Sequence, residues 1–296
     1  MTGPGTILKR IEDLPTLPSS VARLAALLQN EKARAAEFEE VIRPDPAMTA
    51  NLLKMANTPF FGSRQKVASV SHAVAVMGTK RAFEATAAAA FSNVIPIHIP
   101  GYGLDARGFW THCASVAILS EGLSRELGVQ APALTFTAGL LHDIGKLVIG
   151  AFLYEAWSPM VAAMRLKDTP FVEAEREVLG TDHTEVGARI SDLWGLPETI
   201  ATAIRWHHTP GDVPSEEDQN LVDLIHAADA MAHLVDQGVD TNDLSRSMDP
   251  EVIDRLGIAK PSLDNVAELS LEQIRRASGA FVSEGDHDHS GHFEAA

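Results

Sequence analysis

Apolar residues recur at helical spacing along almost the whole chain, and no stretch alternates with the two-residue period of a half-buried strand. Met1 to Pro18 holds Gly3, Pro4, Gly5, Pro15 and Pro18, a spacing that predicts an extended lead-in. Val21, Leu24, Ala25, Leu27 and Leu28 then mark the apolar face of a helix that Ser19 or Ser20 can cap. Phe38, Val41 and Ile42 mark a second helix, stopped by Arg43-Pro44-Asp45-Pro46. Asp45 caps a third from Pro46 to about Asn57, with proline at the favourable first position. Thr58 to Gly62 reads as a turn with Phe60 and Phe61 as core anchors. Helices over Ser71–Met77 and Lys80–Phe91 follow, parted by Gly78.

Asn93 to Gly103 carries Pro96, Pro100, Gly101 and Gly103 and is the clearest internal boundary. Beyond it, amphipathic helices are expected over Ala106–Leu127, Ala131–Ile149, Ala151–Arg165, Val172–Leu179, Thr184–Trp194, Pro197–His208 and Leu221–Val235. Two more are expected near Pro250–Ile258 and Ser262–Ser278. Ser283 to Ala296 is polar and histidine-rich, as expected of a disordered tail. The chain is thus expected to be all-α. It divides into an N-terminal helical subdomain (1–95), a second helical subdomain (104–237), a C-terminal extension (238–282) and the tail (283–296).

Composition narrows the function classes. The 45% apolar content supports a real core, while 6% aromatic content and abundant alanine favour closely packed helices. A net charge of -16, with no basic cluster to override it, repels phosphate backbones and argues against nucleic-acid binding. Such a protein can still hold a phosphorylated small molecule if metal ions supply the local positive charge. The single cysteine, Cys113, rules out an internal disulfide framework and is expected to be a small core residue. The apolar stretches Ala133–Leu141 and Leu147–Leu153 fall short of a membrane span, and no secretion signal is visible. A cytoplasmic location is expected, with no membrane partner.

Seven side chains stand out: His112, the pair His142-Asp143, His183, the pair His207-His208, and Asp229. Each falls on an expected helix or at a helix end. Neighbours on a helix diverge by about 100° and rise about 1.5 Å, so each pair can lean toward one point. A lone helical histidine is most simply a surface or core residue, and either aspartate could be a solvated charge. The setting weighs against that reading. Asp143 follows Ala138-Gly139-Leu140-Leu141, and Asp229 lies among Ala227, Ala228, Ala230 and Met231. An ionised carboxylate in such a place needs a cation nearby. Imidazoles with carboxylates suit Zn, Fe, Mn or Ni. His72, His98, His226 and His233 lie outside the pattern and are expected to be structural or surface residues. Asp286, His287, Asp288, His289 and His292 are read as a flexible end, although they could chelate metal weakly.

These residues carry a family resemblance. Gly139-Leu140-Leu141-His142-Asp143-Ile144-Gly145-Lys146-Leu147 resembles the name-giving motif of the HD superfamily of metal-dependent phosphohydrolases. His112 in Phe109-Trp110-Thr111-His112 resembles its preceding ligand, and Asp229 in Leu224-Ile225-His226-Ala227-Ala228-Asp229 its closing aspartate. Leu14-Pro15-Thr16-Leu17-Pro18, Ile42 to Thr49, Leu53 to Asn57, Leu179 to Gly187 and Trp194-Gly195-Leu196-Pro197 narrow the likeness to the HDOD domains, over roughly residues 7 to 236.

The resemblance implies a small N-terminal bundle packed on an HD-type helical core. By analogy, His112, His142, Asp143 and Asp229 would hold one divalent metal. His183, His207 and His208 would hold a second, with Asp143 bridging and catalytic. Lys146 would meet a phosphate oxygen, its plainer alternative being a solvated lysine. Family members that degrade cyclic di-GMP carry Gly-Tyr-Pro after the histidine pair. This chain reads Thr209-Pro210-Gly211-Asp212 there, which disfavours that reaction. The first expectation is a bacterial signalling module that binds two metals, signalling proteins and a phosphorylated small molecule. A metal-dependent phosphohydrolase comes second, and a metal-free interaction scaffold third.

Overall fold

The computed structural model describes residues 4–11, 17–30, 32–61, 66–154, 170–234 and 248–280. The lead-in is not extended throughout: α1 (Pro4–Arg10) is helical. Pro4 sits at a first position, where its missing N–H costs nothing, and Ile7 and Ile11, one turn apart, are buried in the core. Helix α2 (Ser19–Gln29) begins at Ser19 with no side-chain cap, whereas Asp45 caps α4 (Pro46–Ala56) as expected, accepting from Met48 N–H at 3.0 Å. With α3 (Ala35–Ile42), these pack on the long α5 (Val70–Ser92). Gly78, at φ 79°, kinks α5 where the sequence predicts a break.

The expected boundary at Asn93–Gly103 contains the first of two strands that periodicity did not reveal, and the second follows directly after it. Strands β1 (His98–Ile99) and β2 (Leu104–Asp105) pair antiparallel, His98 opposite Asp105 and Ile99 opposite Leu104, around a short 3-10 turn. Two residues per strand cannot display an alternation. The turn buries Tyr102 completely, so this segment belongs to the core as well as joining two halves.

Helices α6 (Ala106–Leu127) and α7 (Thr135–Leu141) follow, then α8 (146–154), where the described residues pause. The single helix expected over Ala131–Ile149 is therefore broken by a turn at 142–145. The run Thr135–Tyr154 does reach the length and apolarity of a membrane span, contrary to expectation, yet 89% of that window is buried inside the protein. Core packing explains its composition. Most of Ala151–Arg165 lies outside the described residues.

The second half continues through α9 (Phe171–Leu179), α10 (His183–Leu193), α11 (Glu198–Trp206) and α12 (Glu216–Leu234). Then come α13 (Pro250–Leu256) and α14 (Lys260–Ala280). Helix α14 packs on α6, where Trp110 Nε1 donates to Ala277 O at 2.9 Å and Thr111 donates to Ser278 at 3.1 Å. The C-terminal extension thus shares the core. The expected disordered tail lies outside the described residues. Phe60 and Phe61 meet Phe136 of α7 at ring-centroid distances of 6.1 and 6.5 Å, joining the N-terminal bundle to the rest. One apolar cluster runs from Ile7 to Ala280. Among the described residues the fold is all-α apart from the two-residue ladder.

Candidate metal centre

Close backbone approach assembles the centre. A Cβ at Gly139 would lie 2.8 Å from Ala117 Cα, so glycine lets α7 press on α6 and brings His142 toward His112. A Cβ at Gly145 would lie 1.9 Å from His183 O, so glycine lets the turn after Asp143 rest on the start of α10.

All seven singled-out residues converge. His112, His142 and Asp229 form one group, and Asp143, His183, His207 and His208 another, each with potential ligand atoms within 4.8 Å of one another. Asp143 reaches both groups with different oxygens. Its Oδ2 lies 3.3 Å from Nε2 of both His112 and His142, and its Oδ1 lies 3.4 Å from His183 Nε2 and 3.8 Å from His207 Nε2. Asp229 Oδ1 lies 3.3 Å from His112 Nε2. His208 is half-buried while the other six are buried, so it marks the accessible side.

Hydrogen bonds behind the rings fix which nitrogens face inward. His142 Nδ1–H donates to Gly139 O, His207 Nδ1–H to Ile204 O and His183 Nδ1–H to Glu175 Oε2, each at 2.7 Å. A ring that donates through Nδ1 presents a bare lone pair at Nε2 unless it is doubly protonated. Bare nitrogens and carboxylate oxygens facing one another repel, and of these inward atoms neither Asp143 Oδ1 nor His207 Nε2 has a hydrogen-bond partner. A cation resolves this arrangement, and the donor set fits a divalent metal.

The charges agree. Burial pushes Asp143 up, but His142 and Lys146 outweigh it and hold its carboxyl well below the usual range. Burial pulls His142 down, yet Asp143 and Asp229 lift it to about 9, so a proton on that ring serves while no metal does. Burial and its neighbour His142 keep His207 well below the ordinary histidine value, with its ring neutral.

Lys146 is not solvated: it is 2% exposed, its Nζ 2.8 Å from Asp143 Oδ2. Cys113 is core, as expected, and burial pushes its thiol well up. His226 is structural, donating from Nδ1 to His207 O at 2.7 Å and accepting from Asp249 N–H at 2.9 Å. His233 departs from expectation. Its Nε2 lies 3.5 Å from Asp229 Oδ1 and its ring faces His112. The i, i+4 spacing of Asp229 and His233 on one helix was the available signal. Glu175 and Tyr102 also escaped the sequence reading. Glu175, on the buried face of α9, carries the His183 bond and accepts from Tyr102 Oη.

Similarity to other proteins points the same way. An uncharacterized protein of Treponema pallidum (strain Nichols) is 24% identical over 244 residues, covering 82% of this chain and 47% of that protein. Ribonuclease Y of Aquifex aeolicus (strain VF5) is 31% identical over 121 residues, 41% of this chain and 16% of the enzyme. This chain therefore spans less than half of either relative. An HDOD domain protein of unknown function from Geobacter sulfurreducens superposes with a TM-score of 0.71 at 25% identity, covering 94% of this chain and 97% of that one. A candidate phosphohydrolase from Shewanella amazonensis SB2B shares the fold, with a TM-score of 0.69 at 24% identity over 93% and 98% of the two chains. Residues 14–210 match the HDOD domain, and with the His/Asp cluster in place within an HD-type helical fold, the chain belongs to the HDOD family.

Proposed function

We propose that this chain is a regulatory HDOD protein whose centre works as a metal-dependent phosphohydrolase on a small phosphorylated molecule. His112, His142 and Asp229 would hold one divalent ion, and Asp143, His183, His207 and His208 would hold a second. Fe, Mn, Zn and Ni all suit these donors. When bound, two such ions lower the pKa of water and stabilise charge developing on a phosphoryl group.

The observation that carries the reading is Lys146. A buried ammonium 2.8 Å from the shared carboxylate is a poor neighbour for two dications if holding metal is the whole purpose. It makes sense when a phosphoryl group, with its negative oxygens, joins them. Lys146 then orients Asp143 in the resting protein and offers its charge to the phosphoryl oxygens of a bound substrate. Glu175 holds the His183 ring with Nε2 inward. The acidic surface disfavours long nucleic acids, despite the partial likeness to ribonuclease Y.

Protein purified anaerobically is expected to carry close to two metal equivalents by elemental analysis. Chromogenic phosphodiesters, a nucleotide panel and an RNA oligonucleotide then test turnover. Asp143→Ala abolishes it, and Lys146→Met keeps the metal while lowering kcat by about a hundredfold. A metal-loaded protein inert toward the whole panel would sink the hydrolase. It would favour the second reading, a signalling module that binds metal and a phosphorylated ligand without turnover, which the deep burial of six of the seven residues supports.

A further inference from the structure

Away from the histidine cluster, a cavity of about 560 Å³ lies where α5, α6 and α14 meet the Phe60–Phe61 turn and the start of α7. Lys80 and Arg81 of α5, Arg125 of α6 and Arg276 of α14 line it, with Glu84 and Glu121 as its carboxylates. In a chain of net charge -16, four cations from three helices around one small space call for an explanation.

Salt bridging accounts for part of the group. Lys80 sits between Glu121 and Glu84, and Arg81 donates to Glu84 Oε2 at 2.7 Å with its guanidinium over the Phe61 ring. Glu84, 1% exposed, holds these two cations side by side, and its Oε1 has no hydrogen-bond partner. The remaining pair is explained only in part in this way. Arg276 uses Nε on Glu272, outside the cavity wall, and Arg125 has no ion-pair partner among the described residues. Both are exposed, and they reach the same space from different helices. Three carboxylates, one of them outside the cavity, leave four cations undercompensated.

We propose that this cavity is a second, separate ligand site that binds a small phosphorylated anion. Three guanidinium groups and an ammonium match phosphate oxygens in geometry and charge, since each guanidinium can offer two parallel N–H donors. The volume falls in the range of small-molecule sites and is too small for a folded partner. Its position gives occupancy a consequence. Thr135, in the cavity wall, opens α7, which His142 directly follows, and α6 carries Arg125 at one end and His112 nearer the other. A ligand here contacts the two helices that present His112 and His142. The proposal stands whether or not the histidine cluster is catalytic.

Calorimetric titration of the full chain with inorganic phosphate and, separately, adenosine 5′-monophosphate tests it. Saturable binding of at least one probe is expected, weakened at least about tenfold in Arg125→Glu/Arg276→Glu, and this arginine-dependent component persists in the isosteric Asp143→Asn. Both changed arginines are exposed, and circular dichroism checks that the helices persist. Binding of the nucleotide alone identifies a phosphate ester as the ligand; equal binding of both probes shows that the phosphate group suffices. The proposal is overturned if neither probe binds at millimolar concentration, or if the arginine pair makes no difference. It is equally overturned if Asp143→Asn alone removes binding, which would place the anion at the histidine cluster.

Discussion

Glu175 Oε2 takes two hydrogen bonds from His183, one from the backbone N–H at 2.8 Å and one from Nδ1–H at 2.7 Å. Its other oxygen accepts from Tyr102, in the turn between the two strands. A fully buried carboxylate thereby fixes both the start of α10 and the tautomer of the ring. Glu175→Gln is expected to weaken metal binding by about 10- to 100-fold, with a smaller loss in Tyr102→Phe. Competition against a chelating dye measures both. Wild-type affinity in Glu175→Gln would mean that the bond serves folding alone.

What the sequence disclosed follows from where the physics is local. Asp45 capping α4, the kink at Gly78 and the aromatic anchors at Phe60 and Phe61 depend on near neighbours and could be foreseen. The seven converging residues were legible because buried aspartates in alanine- and leucine-rich stretches demand a cation. Glu175 was not: one glutamate in an amphipathic helix looks solvated until the fold shows which face is inward. His233 leaves only the trace of its i, i+4 spacing from Asp229. The break at 142–145 left no local trace; its glycine, Gly145, packs on the carbonyl of His183, far along the chain. The strands at His98–Ile99 and Leu104–Asp105 are too short to leave any periodic trace.

That carbonyl makes Gly145 a sensitive position. A methyl group there would stand 1.9 Å from His183 O and 2.8 Å from Gly187 N, both backbone atoms that cannot step aside. Gly145→Ala should cost about 1–3 kcal/mol of overpacking in urea unfolding and push α10 away from Asp143. Metal content should fall with it. A variant as stable as the parent and equally loaded with metal would contradict the packing described here.

Removing metal should loosen the whole chain, because the donors come from α6, α10 and α12 and from the turns after α7 and α11. Ligand linkage puts the loss at about 3–4 kcal/mol when free metal stands at 100–1,000 times Kd. Chelator should therefore lower the melting temperature of the parent protein, and re-addition of metal should restore it. Asp143→Ala, which removes the shared carboxylate, should show no chelator-dependent shift. An equal shift in both proteins would place the stabilising ion elsewhere.

Glu84 makes stability depend on pH in the opposite sense to a salt-bridged carboxylate. Burial, reinforced by Glu121, pushes its carboxyl up to about 7 from an ordinary 4.5, against the pull of Arg81 and Lys80. The folded chain therefore holds a proton that the unfolded chain releases between those two values. Its contribution is fully present below about pH 4.5 and is lost as pH rises through about 7. The linkage relation sets the change at no more than about 3 kcal/mol. Glu84→Gln cannot ionise, so its stability relative to the parent should rise between about pH 5 and about pH 8, as measured by urea unfolding at each. A constant difference across that range would show that Glu84 is ionised throughout, held so by Lys80 and Arg81.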